Sequence, residues 1–299
     1  MSAVAAAVRR DEEGFILPAV VAILLVVALA CAGAVKALQT RTAATADHAA
    51  SLRLQGIADG VARLMAMSLV VQHARRRPGL GLPEDGTVVA CPLPDGITVA
   101  VSVQDQAGLI DLNASPRPFM EDAFRVLGVP DREAAALAAE IVDARDADDV
   151  PEPNGAEAPQ YRARGLPEGP RNAPFETVEE IETLPSMTEA LAARLRPFVT
   201  VYNANGGIDG SVTPGRVFAG GVLAHDLNRR AATSPHQAYA LTAIAYGARG
   251  AQAGRRAILS INALRNVTGL IAWRHAYGPF PGAAPHPACA GIALALDPG

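Results

Sequence analysis

From Phe15 to Val35 the chain reads FILPAVVAILLVVALACAGAV, an unbroken apolar run without a single charge. Roughly 20 apolar residues are enough to cross the hydrocarbon of a bilayer as a helix. A helix buried in a globular core keeps a polar stripe, whereas this one is apolar on every face. The run therefore predicts a membrane helix. Arg9 and Arg10 on its N-terminal side favour a cytoplasmic N-terminus, and the intervening Asp11, Glu12 and Glu13 weigh little in that rule. A secretory signal peptide is the competing reading, and Ala28-Leu29-Ala30 offers the small-residue site it would need.

The helical pattern continues past the membrane. Ile57, Val61, Leu64, Met65 and Ser68 keep one mostly apolar face at three- and four-residue steps, with Arg53, Asp59 and Arg63 largely outside it. Arg75-Arg76-Arg77-Pro78-Gly79 stops it. The remainder is long enough, within 299 residues, for one large domain or two small ones. The net charge of −4 gives no footprint for nucleic acid. The three cysteines, Cys31, Cys91 and Cys289, form no CxxC pair, so zinc ribbons and thioredoxin-like chemistry are unsupported. Cys31 lies in the apolar run, which leaves Cys91 and Cys289 as the pair that could be oxidised after export. Their spacing leaves open whether they meet.

Thr87 to Ala90 and Ile97 to Val103 read as strands around the turn-rich Cys91–Gly96. QDQAGLIDLNAS, residues 104–115, follows as a strand entering a helical segment, with Asn113 or Ser115 placed to cap. Phe119, Phe124, Leu127, Leu137 and Ile141 suggest two short helices broken at Gly128-Val129-Pro130. Next come Asp143, Asp146, Asp148, Asp149 and Glu152, close enough to repel one another unless something positive sits among them. A hard cation that takes 6–8 oxygens, typically Ca²⁺, is one neutraliser, although the spacing is not that of an EF-hand. A solvated loop paired with Arg145, Arg162 and Arg164 is another. A catalytic carboxylate pair is a third, but neither histidine nor nucleophile accompanies it. In residues 172–201, Thr177 and Glu180 make a capping box, Val178, Ile181 and Leu184 an apolar face, and Thr188 a second cap. This segment looks like a helix-hairpin-helix with Ser186 where DNA binders place glycine, set in an acidic surround. Packing is its expected role. Tyr239–Tyr246, Arg256–Asn262 and Val267–Trp273 read as antiparallel strands, and the Pro-, Ala- and Gly-rich stretch from Tyr277 to Gly299 predicts little order.

Several of these motifs carry a family resemblance. Gly14 followed by Phe15 resembles the cleavage site of type IV prepilins and pseudopilins, which are cut on the cytoplasmic side so that the apolar helix stays on the mature chain. Most such proteins have glutamate at the fifth mature position, where this chain has Ala19; the minor pseudopilin K of type II secretion characteristically lacks it. Asp105, Gly108, Ile110, Leu112 and Asn113 resemble the D-x-x-G-x-I-x-L-N pattern of that family. The acidic loop from Ile141 to Tyr161 and the stretch opened by Asn172-Ala173-Pro174 also resemble it.

The resemblance implies an α+β, pilin-like fold with a long N-terminal transmembrane helix, an antiparallel sheet and an inserted, mostly helical domain. Its parts would be a leader (1–14), the long helix (15–79), a head (80–112 and 201–276), the insert (113–200) and a flexible tail (277–299). It implies a non-enzymatic minor pseudopilin in the inner membrane, with its C-terminal domain in the periplasm, capping or initiating the pseudopilus and supporting export. Partners would be I- and J-type minor pseudopilins, the major pseudopilin, the inner-membrane platform and the prepilin peptidase. Homologues hold calcium in the insert, which points here to Asp143, Asp146, Asp148, Asp149 and Glu157 as ligands. A DNA-contacting pilus subunit and a membrane-tethered hydrolase are the alternatives.

Overall fold

The computed structural model describes residues 16–166, 168–216, 232–262, 267–280 and 286–296. Gly14 and Phe15, the expected processing site, lie outside them. Helix α1 runs from Ile16 to Leu69. Pro18 falls in its first turn, where a missing N–H costs little. The chain divides into two units, residues 1–53 and 54–299. In the first, the helical segment Leu17–Arg41 is long and apolar enough to span a membrane. Its Leu17, Ile23, Leu24, Val26 and Leu29 are all exposed, as lipid-facing side chains must be.

In the second unit the end of α1 is a packing helix. Ala58, Val61, Ala62, Met65 and Leu69 are buried on one face. Ser68, at the edge of the expected stripe, accepts a hydrogen bond from the Leu80 N–H at 2.7 Å and so pins the returning chain. A π-helical turn, Val70–Ala74, ends the helix just before the arginine run.

Strands β1 (Val89–Pro92), β2 (Thr98–Asp105), β5 (Ala238–Tyr246), β6 (Gln252–Asn262) and β7 (Val267–His275) form an antiparallel sheet in the order β1-β2-β5-β6-β7. Val99, Val101 and Val103 alternate with more polar neighbours and pair with Ala245, Ala243 and Leu241. That face shares one core with Val61 and Met65 of α1. Asp59 holds Arg255 of β6 at 2.6 Å, and the guanidinium groups of Arg63 and Arg255 lie 5.0 and 5.1 Å from the Trp273 ring centre.

Between β2 and β5 the chain makes a separate lobe. Strands β3 (Ile110–Asp111) and β4 (Val199–Thr200) pair in parallel. Helices α2 (Arg117–Val126), α3 (Asp131–Arg145), α4 (Ala158–Ala163) and α5 (Glu189–Leu195) lie between them in sequence. Phe119, Phe124, Leu137 and Ile141 are fully buried there with Ile181 and Leu195. The same core takes Ile110, Leu112 and Ile208, so the lobe draws on residues either side of the expected 113–200.

Three local expectations are corrected. Neither Asn113 nor Ser115 caps α2, whose N-cap is Pro116. Asn113 instead clamps the Phe175 backbone, donating to its carbonyl at 2.9 Å and accepting from its N–H at 2.7 Å. Ser115 accepts from the Asp111 N–H. The Thr177–Glu180 capping box forms, but it opens a 3₁₀ turn, Val178–Thr183, rather than an α-helix. The stretch expected to lack order contains helix α6, Ala288–Leu296. Its Ile292 is completely buried, and Cys289 is joined to Cys91 of β1 in a disulfide with 5.1 Å between the Cα atoms. Proline and glycine flank this helix, but its own sequence, ACAGIALAL, is apolar and rich in alanine, a strong helix former.

Candidate metal centre

The acidic loop between α3 and α4 is shaped by one of its own carboxylates. Asp143, fully buried near the end of α3, accepts the N–H groups of Glu152 at 3.0 Å and Ala156 at 2.6 Å. The loop is thereby folded back over the helix end. Gly155 is required there, because a methyl group at that position would collide with the Asp143 carboxylate. The loop delivers Glu157 to the N-cap of α4, where its backbone N–H donates to the Gln160 side chain at 3.0 Å.

This closure gathers Asp146, Asp148 and Glu157, with carboxylate oxygens within 4.8 Å of one another. Glu157 is only 1% exposed, and both its oxygens, like Oδ1 of Asp146, are buried without a hydrogen-bond partner. Burial, then the charges of Asp143, Asp146, Asp149 and Asp148, push the Glu157 carboxyl up to about 7. Burial and Asp148 raise that of Asp146 as well.

Two of the three arginines expected to neutralise this loop, Arg145 and Arg164, are engaged elsewhere. Arg145 donates to the carbonyls of Leu112 at 2.6 Å and Ser115 at 2.9 Å, and Arg164 to that of Pro185. Arg117 reaches Glu152 at 2.8 Å. Among the described residues, no Lys or Arg forms an ion pair with Asp143, Asp146, Asp148, Asp149 or Glu157. Orphaned, buried carboxylate oxygens around an uncompensated charge fit a hard, oxygen-seeking cation.

The five residues singled out in the sequence therefore play different parts. Asp146, Asp148 and Glu157 converge, whereas Asp143 is spent on backbone amides. Asp149 accepts from the Asn172 side chain at 3.1 Å. Asn172 was missed as a neighbour of the loop. It also donates to the Asp148 carbonyl, and its own amide oxygen is buried without a partner. The sequence signal for it was slight, an asparagine in a left-handed conformation (φ 49°) before Ala-Pro.

The helix-hairpin-helix look-alike is turned inward. The N–H and hydroxyl of Ser186 both donate to the buried carboxylate of Glu140, at 2.9 and 2.6 Å. The donors that such a hairpin would offer to a phosphate are thus engaged by an internal acid.

A long apolar helix that leads into an α1-and-antiparallel-sheet head, with a helical lobe inserted after the second strand, makes a pilin-like α+β fold. Residues 103–204, which span the lobe and its two flanking strands, match the family described as type II secretion system (T2SS), protein K. Among solved structures the chain is similar to one in the crystal structure of the GspK-GspI-GspJ complex from the enterotoxigenic Escherichia coli type 2 secretion system. The identity is 17% and the TM-score 0.58, over 80% of this chain and 100% of that one. No curated protein matches. The match over residues 103–204 and the shared fold support a minor pseudopilin of type II secretion, of the K type.

Proposed function

We propose that this subunit caps or initiates the pseudopilus at its tip, in company with I- and J-type minor pseudopilins, and that its lobe is stiffened by calcium. The observation that carries the tip position is the lobe. Its core, built on Phe119, Phe124, Leu137 and Ile181, is separate from that of the sheet and makes a second globule on one subunit. A bulge of that size obstructs side-by-side stacking along a filament and is tolerated where stacking ends. The solved relative was crystallised as a complex with I and J proteins, which supports the same company here. The major pseudopilin, the inner-membrane platform and the prepilin peptidase complete the expected partners.

The head belongs on the periplasmic side of the inner membrane in this reading. The Cys91–Cys289 disulfide suits that oxidising compartment. In the loop, Asp146, Asp148 and Glu157 would hold the calcium ion. The ion supplies charge neutralisation, and Asp143 and Asn172 hold the surrounding backbone.

Co-expression of the full-length chain with its I- and J-type partners, followed by purification and mass measurement, tests the assignment. One copy of each in a stable ternary complex is the expected result, together with a mature chain that begins at Phe15 only when a prepilin peptidase is present. A chain cut near Ala30, or one that binds neither partner, contradicts it.

A further inference from the structure

A second group of polar side chains, unused by the role above, gathers where α1 gives way to the sheet. His73 sits in the π-helical turn and Glu84 in the loop before β1. Asp105 is the last residue of β2, and His236 and Tyr239 lie around the start of β5. His73 Nε2 is 2.7 Å from Glu84 Oε1, and His236 Nδ1 is 3.6 Å from Glu84 Oε2. The two imidazole rings are stacked with centres 4.2 Å apart. His73, His236 and Glu84 each direct one donor atom into a space where all three lie within 4.8 Å.

Two buried carboxylates in this cluster have no permanently charged cation beside them. Glu84 is largely buried and Asp105 almost wholly so, with side chains 12% and 1% exposed. Among the described residues their ion-pair partners are the two histidines, and no Lys or Arg. A single nitrogen, His236 Nδ1, has three oxygens around it: the Tyr239 hydroxyl at 2.9 Å, Asp105 Oδ2 at 3.0 Å and Glu84 Oε2 at 3.6 Å. One ring nitrogen can donate at most one hydrogen, and the other donors here are neutral groups: the Tyr239 hydroxyl, Ser234 on Asp105 and Gln72 on Glu84. His236 is held in place at some cost. Its backbone is left-handed, with φ 54°, and its N–H is tied to Ser234, whose hydroxyl in turn donates to Asp105.

We propose that His73, His236 and Glu84 form a binding site for a divalent transition-metal ion of the zinc class, with Asp105 supplying the second negative charge beside it. A tetrahedral zinc ion with bonds near 2.1 Å sets its ligand atoms about 3.4 Å apart. His73 Nε2 and Glu84 Oε1 are in direct contact at 2.7 Å here, so the entering ion parts them and tilts the stacked rings toward it. Two neutral imidazoles, two carboxylates and one dication sum to zero charge. Imidazole ligands select zinc, copper or nickel over calcium and magnesium, which prefer oxygen alone. This site therefore differs in kind from the all-oxygen loop of the lobe. Its ion would tie the end of the long helix to two strands of the head.

The test is titration of the full-length protein in detergent, with calcium in excess throughout. ZnCl₂ binding is followed by calorimetry, and CoCl₂ binding by visible absorption. One equivalent of zinc is expected, and cobalt should give the intense visible band of four-coordinate Co²⁺, lost when zinc is added. His73→Gln keeps a hydrogen-bonding group beside Glu84, and His236→Asn keeps a residue tolerant of the left-handed backbone. Each should weaken zinc at least tenfold, since even outer partners of a metal ligand act on a scale of about 10–100-fold. Glu157→Gln should leave zinc binding unchanged. Equal zinc affinity in the wild type and both histidine variants would overturn the proposal. If neither variant folds, the wild-type cobalt spectrum decides, and a spectrum no different from that of aqueous Co²⁺ overturns it equally.

Discussion

Glu157 shows how one buried carboxylate can make a loop answer to its surroundings. Its pKa is pushed up to about 7, so a proton competes with any cation for those oxygens. Calcium affinity measured by calorimetry should fall about tenfold from pH 8 to pH 6, and Glu157→Gln should remove both most of the affinity and its pH dependence. An affinity flat across that range would count against the ligand assignment. The sign for stability is the reverse of that of an ordinary salt-bridged acid. The folded state holds this proton longer than the unfolded chain does. The metal-free protein therefore loses stability as pH rises from the usual carboxylate range through about 7. The acids themselves were legible in the sequence because like charges in a short stretch demand an explanation. Their division of labour was not. That Asp143 binds amides of Glu152 and Ala156, and that Asn172 reaches back to Asp148, are facts of tertiary contact that no spacing encodes.

At the level of elements, α6 is held to β1 by the Cys91–Cys289 bond and by Ile292, which joins the core beneath the sheet. The bond closes a loop with a sequence separation of 198 residues, a large restriction on the unfolded chain. Cys289→Ser, or reduction of the wild type, should cost about 2–5 kcal/mol, read as a lower denaturation midpoint of the detergent-solubilised protein. A midpoint unmoved by reductant would show that α6 adds nothing to the head. The β2, β5 and β6 strands could be read from alternation to within a few residues, since at least one face of each is buried. Two-residue strands such as β3 and β4 are too short to carry any period. The last helix was hidden by the prolines and glycines on either side of it.

At the scale of the whole molecule, the lobe and the sheet are built on separate apolar cores, which implies that each can loosen independently. Phe124→Ala should remove about 3–5 kcal/mol from the lobe. Hydrogen exchange should then quicken in α2 and α3 while β5 and β6 keep their protection, whereas uniform loss would mean a single cooperative body. The short parallel contact between β3 and β4 has a larger consequence. The outgoing and returning chain pass side by side there, about 4.8 Å apart, so the excursion between them leaves and rejoins the fold at neighbouring points. An insertion or deletion between β3 and β4 can therefore be absorbed within that excursion while the register of β2 on β5 stays untouched.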